Sequence, residues 1–131
     1  MAIKINVIQH GRKALNGKWF GKTVSMGEVG THELAQLVSH SNSVTESDVY
    51  GVIKALEKEM ERLLKQGKTV VLEDIGRFHL TIKSAMVDDP DEYNVREHVR
   101  EVCVKFTPAA HRRRDGTLER SFTAGTKVER L

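Results

Sequence analysis

The chain has 131 residues, of which 39% are hydrophobic and 30% charged, and its formal net charge is +3. This balance predicts one folded domain and excludes both a wholly disordered chain and, because no apolar run approaches the roughly 20 residues that span a bilayer, a membrane protein. The single cysteine, Cys103, cannot form an internal disulfide, so we expect a protein of the reducing cytoplasm.

Residues 1–30 predict an extension of short strands and loops. Apolar and polar side chains alternate over residues 2–8, as in a strand with one buried face. Glycines recur through the following stretch, which favours turns. Trp19 and Phe20 are expected to pack this extension onto the core.

The stretch "NGKWFGKT", residues 16–23, ends like a phosphate-binding loop. Such a loop needs four residues between its two glycines, and only three separate Gly17 from Gly21. Asn16 stands where a glycine is required, and "VSMGEVG" cannot begin the long helix that would face the phosphates. The sequence therefore does not predict a nucleotide enzyme.

A first helix is predicted after the glycine-rich stretch. Leu34, Leu37 and Val38 lie three and four residues apart, as on one helical face. Thr31 is the expected N-cap, and the helix should end near His40.

A second, longer helix is predicted over residues 46–66. Thr45 and Asp48 have the spacing of a capping box, and Gly67 suits the left-handed conformation that terminates a helix. Seven apolar residues keep to one stripe of this helix: Val49, Val52, Ile53, Leu56, Met60, Leu63 and Leu64. Leaving this stripe in water would cost roughly 1.5–3 kcal/mol per side chain, so another surface must cover it.

The remainder predicts strands around an acidic excursion. "KTVVLEDIGRFHLTIK" contains two β-rich runs that break at Gly76, and residues 102–107 alternate as a strand. Residues 84–92 predict an acidic loop around Pro90, and residues 93–101 fit either a short helix or a strand. After Pro108 the chain could hold one helical turn, and residues 115–131 suit a basic tail for which partial disorder stays open.

Charge is unevenly distributed along the chain. Residues 1–30 and 105–131 each carry a net charge of +4, whereas residues 85–104 carry −4 and residues 31–84 carry −1. Basic ends suit a protein that presents cations to a polyanion. "HRRR", residues 111–114, directly follows a predicted strand and indicates phosphate neutralisation without sequence information.

The histidines and Cys103 do not have the spacing of a metal site. His32 and His40 are eight residues apart, His98 and Cys103 are five apart, and no CxxC or HExxH frame is present. No nucleophile–base set can be assembled from the sequence either. We therefore expect a non-enzymatic protein without a metal, cofactor or small-molecule substrate.

The order of the predicted elements resembles the HU and integration host factor family of bacterial histone-like DNA-binding proteins, in particular a divergent Bacteroidetes subgroup. The resemblance covers roughly residues 31–114 and rests on "ELAQLVSHSNSVTESDVYGVIKALEKEMERLLKQGKTVVLEDIGRFHL" and "VCVKFTPAAHRR". It implies an α+β fold in which a helical hairpin packs on a small antiparallel sheet, within an intertwined homodimer. It also implies a nucleoid protein whose β-arms grip double-stranded DNA in the minor groove and insert a proline at each arm tip.

The chain departs from this pattern at the arm. The family's arm is basic, whereas the corresponding stretch here is "VDDPDEYNVREHVREV", whose carboxylates would repel phosphates. Val95, Val99 and Val102 can also share a helical face, so the arm is either a gripping arm or one that is shortened or folded back. This departure predicts that phosphate contacts have shifted to the tails, and a protein-interaction module with weakened DNA binding is the alternative function.

The predicted domain organisation is an N-terminal extension (1–30), an HU-like DNA-binding domain (31–114) and a C-terminal tail (115–131). Pro90 is included through the resemblance, and Arg96 and Arg100 as the cations within "VDDPDEYNVREHVREV"; Lys18 and Lys22 are weaker candidates outside the set. The complete set of predicted DNA contacts is Arg77, Lys83, Pro90, Arg96, Arg100, Lys105, Arg112, Arg113 and Arg114.

Overall fold

The computed structural model describes residues 1–12 and 17–131 as an α+β chain, which confirms the predicted fold class. The strands are β1 (Ile3–Gln9), β2 (Trp19–Val24), β3 (Val70–Leu72), β4 (Gly76–Ser84), β5 (Val99–Pro108), β6 (Ala110–Arg112), β7 (Leu118–Arg120) and β8 (Val128–Arg130). The helices are α1 (Thr31–His40), α2 (Glu46–Lys65) and α3 (Val95–His98), and a 3-10 turn covers Pro90–Glu92. Within the described ranges, no helix is long and apolar enough to cross a membrane.

Helix α2 begins and ends as its sequence predicts. The Thr45 hydroxyl accepts a hydrogen bond from the backbone N–H of Asp48 at 3.2 Å, and Gly67 follows the helix with a φ of +80°. The predicted cap of α1 was wrong: Thr31 is the first helical residue and Gly30 is the cap. Gly30 is the cap because its backbone is still extended, while its carbonyl already accepts the first helical hydrogen bond, from the Leu34 N–H at 2.9 Å.

The central sheet has the order β3-β4-β5 with antiparallel pairing throughout. Strand β3 pairs only with the start of β4, whereas β4 and β5 pair along most of their length. Helix α2 contacts β3 and β4. Gly76 begins β4 with a φ of +149°, a conformation that L-residues rarely adopt.

Replacing Gly76 with alanine should destabilise the protein by about 2–4 kcal/mol, measured as the free energy of unfolding in denaturant titrations. A Cβ atom there would lie 2.3 Å from the Thr107 carbonyl oxygen and 2.6 Å from Cε2 of Phe106, in addition to the backbone strain. Gly116→Ala is the matched control, since Gly116 has a φ of +86° and open space around it. Equal losses at both positions would show that the clash contributes nothing.

The acidic excursion, residues 85–98, is folded rather than extended as two paired strands. Asp89 caps the 3-10 turn and Asn94 caps α3, in each case by accepting a hydrogen bond from a backbone N–H two residues on. The hydroxyls of Ser84 and Tyr93 lie 2.6 Å apart and tie the excursion to the end of β4. Strands β4 and β5 therefore do not continue as a paired arm through residues 85–98.

The chain ends meet in a second sheet with the order β2-β1-β8. Strands β1 and β8 pair in parallel, with Ile3 opposite Val128, and the Lys4 ammonium pairs with Glu129. The last residues, for which disorder had stayed open, thus contain β8. The helical turn considered after Pro108 is absent from the described chain, where a hairpin of β6 and β7 stands instead.

Strand β2 also settles two expectations about the N-terminal extension. Gly21, Lys22 and Thr23 lie within this strand, so they do not form a loop before a helix; Asn16 lies outside the described residues. The expected packing of Trp19 and Phe20 onto the core was wrong for a single chain, in which both of these β2 side chains stay open to solvent. Trp19 remains 65% exposed and Phe20 41% exposed.

The single chain buries very little apolar surface. Among the described hydrophobic residues only Ala35 and Val49 are buried. The groove between α1 and α2 is lined entirely by apolar side chains, namely Leu34, Val38, Val44, Val49, Val52 and Ile53, and it remains open. A domain of this length normally buries about two thirds of its surface, so this chain lacks the core that its composition could build.

Candidate nucleic-acid interface

The pairing of β4 with β5 divides the central sheet into an apolar and a polar face. Residues directly opposite each other share a face, and alternate residues along a strand point to opposite sides. The apolar face therefore carries Phe78, Leu80, Ile82, Val102, Val104 and Phe106. The rings of Phe78 and Phe106 lie 4.8 Å apart, whereas Val102 and Val104 are each more than 60% exposed.

The polar face brings together three of the predicted DNA contacts. Arg77 lies opposite Thr107, Lys105 opposite His79, and Lys83 opposite Glu101, all on the same side of the sheet. The Lys83 ammonium is 3.0 Å from the Glu101 carboxylate, so its charge is partly matched within the chain. Arg77 and Lys105 form no ion pair among the residues that the structure describes, and their charges are available to an external anion.

The arginine cluster 112–114 does not act as a single unit. Arg112 lies in β6, Arg114 lies in the turn to β7, and the Arg113 guanidinium pairs with the Glu119 carboxylate. The hydrogen bond from Arg113, reinforced by its positive charge, lowers the pKa of Glu119 below the ordinary value of 4.5. Arg113 is thus engaged within the chain, whereas its two neighbours are exposed and unpaired in the described part of the structure.

The other predicted contacts lie away from the polar face. Pro90 begins the 3-10 turn and Arg96 lies in α3, both within the acidic excursion. Arg100 lies beside the irregularity between Lys83 and Ser84, where the strand register shifts. The structure therefore does not join these three residues to Arg77 and Lys105.

Lys18 and Lys22, the weaker candidates, belong to the terminal sheet. Lys22 lies in β2 opposite Asn6, and Lys18 immediately precedes that strand. Both are exposed. They could meet a polyanion only at a surface other than the polar face of the central sheet.

Sequence reasoning missed two polar residues of interest. His79 lies on the polar face beside Lys105, and Arg120 lies in β7 opposite Ala110. The alternation in "GRFHLTIK" could have identified His79. Arg120 carried no comparable signal, because the three-residue strand β7 is too short to show a period.

The chain is similar to a known protein family. A family model described as an HU domain fused to a wHTH, Ig or glycine-rich motif matches residues 1–123. The match includes the N-terminal extension, which lay outside the resemblance drawn from sequence. No curated protein matches the chain.

A solved structure has the same fold. It is the crystal structure, at 2.25 Å resolution, of a protein from Bacteroides vulgatus ATCC 8482 for which bacterial DNA binding has been proposed. The TM-score is 0.64 at 12% sequence identity, and the match covers 99% of this chain but 48% of the other. The chain thus spans about half the length of that relative. The family match and the shared fold confirm the HU resemblance, and the chain belongs to the HU-HIG family, in which an HU domain is fused to a further motif.

Proposed function

We propose that this chain is a non-catalytic protein of the bacterial nucleoid that binds double-stranded DNA as a homodimer, largely independently of sequence. It needs no cofactor and has no small-molecule substrate. Membership of an HU family supports DNA binding in general. The observation that carries the proposal for this chain is the polar face of the central sheet, where Arg77 and Lys105 stand together opposite an apolar face.

The chemistry of the polar face favours phosphate contact over base recognition. Lysine and arginine side chains on a sheet surface can neutralise backbone phosphates, and such contacts do not depend on the base sequence of the DNA. The wedge role of Pro90 has less support, because the acidic excursion holds this residue in a 3-10 turn among Asp88, Asp89 and Asp91.

Self-association is supported by the apolar surface that a single chain leaves open. The groove between α1 and α2 contains no polar lining, and the apolar face of the sheet exposes Val102 and Val104. At about 25 cal/mol per Å² of apolar area, these surfaces would strongly favour association with a complementary one. A second copy supplies the same apolar groove and face, so a symmetric pair can cover both.

Fluorescence anisotropy with a duplex of about thirty base pairs, intact and nicked, tests the proposal. We expect affinity to fall steeply between about 50 and 200 mM salt and to be similar for unrelated sequences. Tighter binding to the nicked than to the intact duplex would show that the protein also bends DNA, because a nick lowers the free energy needed to deform the duplex. Absence of binding at low salt would refute DNA binding and favour the protein-interaction alternative, with the acidic excursion facing a basic partner.

A further inference from the structure

The β6–β7 hairpin is a compact basic element that follows the central sheet. Its turn is closed by the Arg113 N–H, which donates to the Thr117 carbonyl at 2.8 Å. The Asp115 carboxylate accepts hydrogen bonds from the Thr117 backbone N–H at 3.0 Å and from its hydroxyl at 2.6 Å. Gly116 supplies the positive φ that the turn requires. The hairpin is thus held by its own hydrogen bonds.

The two faces of the hairpin differ in charge. Ala110 pairs with Arg120 and Arg112 pairs with Leu118, so both arginines lie on one face. His111 pairs with Glu119 on the other face, where Glu119 also binds Arg113. One face and the turn therefore present Arg112, Arg114 and Arg120, which have no ion-pair partner among residues 1–12 and 17–131. The other face is neutralised internally.

The hairpin is anchored to the end of the sheet at which Arg77 lies. The Ala109 N–H donates to the Ile75 carbonyl at 3.0 Å, and His111 lies 4.0 Å from the Asp74 carboxylate. The acidic excursion leaves the opposite end, after Ser84. Eight residue steps along β4 separate these ends, which corresponds to roughly 26 Å. The hairpin thus follows the end of the sheet that carries Arg77 and is far from the carboxylates of the acidic excursion.

We propose that the β6–β7 hairpin is a second phosphate-binding element, on which Arg112, Arg114 and Arg120 neutralise the backbone of the same duplex. Arg113 is engaged by Glu119 and is not among these phosphate contacts. This inference rests on the proposed function. It places phosphate contacts at the end of the sheet opposite the acidic excursion, and it adds Arg120 to the predicted contacts.

The test measures the slope of log affinity against log salt for the full chain and an intact duplex. Arg112→Gln combined with Arg120→Gln should reduce the slope by about 2 units, since each neutralised phosphate contributes about 0.9. Arg114→Gln alone, in the turn, should reduce it by about 1. Arg112→Lys combined with Arg120→Lys should retain the slope, because lysine also neutralises phosphate.

Two control variants separate contact from folding and from net charge. Arg113→Gln with Glu119→Gln removes the internal pair without changing net charge and should retain the slope. Lys54→Gln with Lys58→Gln removes the same charge as the arginine double variant, but from α2, and should also retain it. Thermal melting of each variant shows whether it is folded.

The outcomes distinguish the two proposals. If the wild type binds and the arginine variants alone lower the slope, the hairpin is a phosphate-binding element. If the wild type binds and Arg114→Gln and the arginine double variant keep its slope, the hairpin inference fails and the proposed function stands. If the Lys54 and Lys58 double variant lowers the slope by a similar amount, the effect is one of net charge, and the inference is also overturned. A wild type that does not bind at 50 mM salt overturns both.

Discussion

Replacing Val52 with lysine should abolish the proposed dimer at micromolar concentration and lower the free energy of unfolding by about 3 kcal/mol. Val52 is 66% exposed in the single chain, yet it lines the apolar groove between α1 and α2. At a solvent-exposed position this substitution would leave the free energy of unfolding unchanged or raise it slightly, because lysine has a higher helix propensity than valine. At a covered position it buries an unpaired ammonium, which is strongly unfavourable.

Val95→Lys is the matched control for this substitution. Val95 is 69% exposed and begins α3 in the acidic excursion, away from the groove. The Val95→Lys substitution should leave both the oligomeric state and the free energy of unfolding unchanged. Light scattering gives the mass of each variant, and denaturant titration gives its stability. A wild type that is a compact monomer, or a Val52→Lys protein that remains a stable dimer, would contradict the proposed interface.

Replacing Arg77 and Lys105 together with glutamine should weaken DNA binding by roughly 100-fold at low salt. Hydrogen bonds to charged groups contribute about 1.5 kcal/mol or more each, and two such losses correspond to about two orders of magnitude. The loss should be equal for unrelated sequences, because phosphates carry no sequence information. Anisotropy titrations with two duplexes of different sequence measure both quantities.

Arg96→Gln combined with Arg100→Gln provides the charge-matched comparison. This pair removes the same net charge from residues that lie off the polar face, and we expect less than about a threefold change in affinity. A loss as large as that of the Arg77 and Lys105 variant would mean that DNA runs along the excursion. The polar face would then not be the interface.

The parts of the fold that the sequence predicted are those governed by local chemistry. The capping residues of α2, its apolar stripe and Gly67 lie within one segment, and each has a physical reason to occupy its place. The two β-rich runs that break at Gly76 and the alternation over residues 102–107 similarly predicted strands, two of which the structure pairs as β4 and β5. Periodicity in these elements is long enough to distinguish helix from strand.

The parts that sequence reasoning missed depend on pairing between distant or very short segments. Strand β8 has three residues, and its partner β1 lies at the other end of the chain, so no local period could indicate it. The pairing of Arg113 with Glu119 likewise depends on the hairpin register. A basic cluster in sequence therefore could not show which of its arginines remain free.

The parallel pairing of β1 with β8 has a consequence for the order of events during synthesis. Strands β1 and β2 can pair once residues 3–24 have left the ribosome, but β8 is made about a hundred residues later. At 5–20 residues per second this leaves roughly 5–20 s during which one edge of β1 is open to any other strand. Closing so long a loop is also entropically costly and slow. The terminal sheet should therefore be the last part of the nascent chain to mature, and the part most exposed to misassembly with a neighbouring polypeptide.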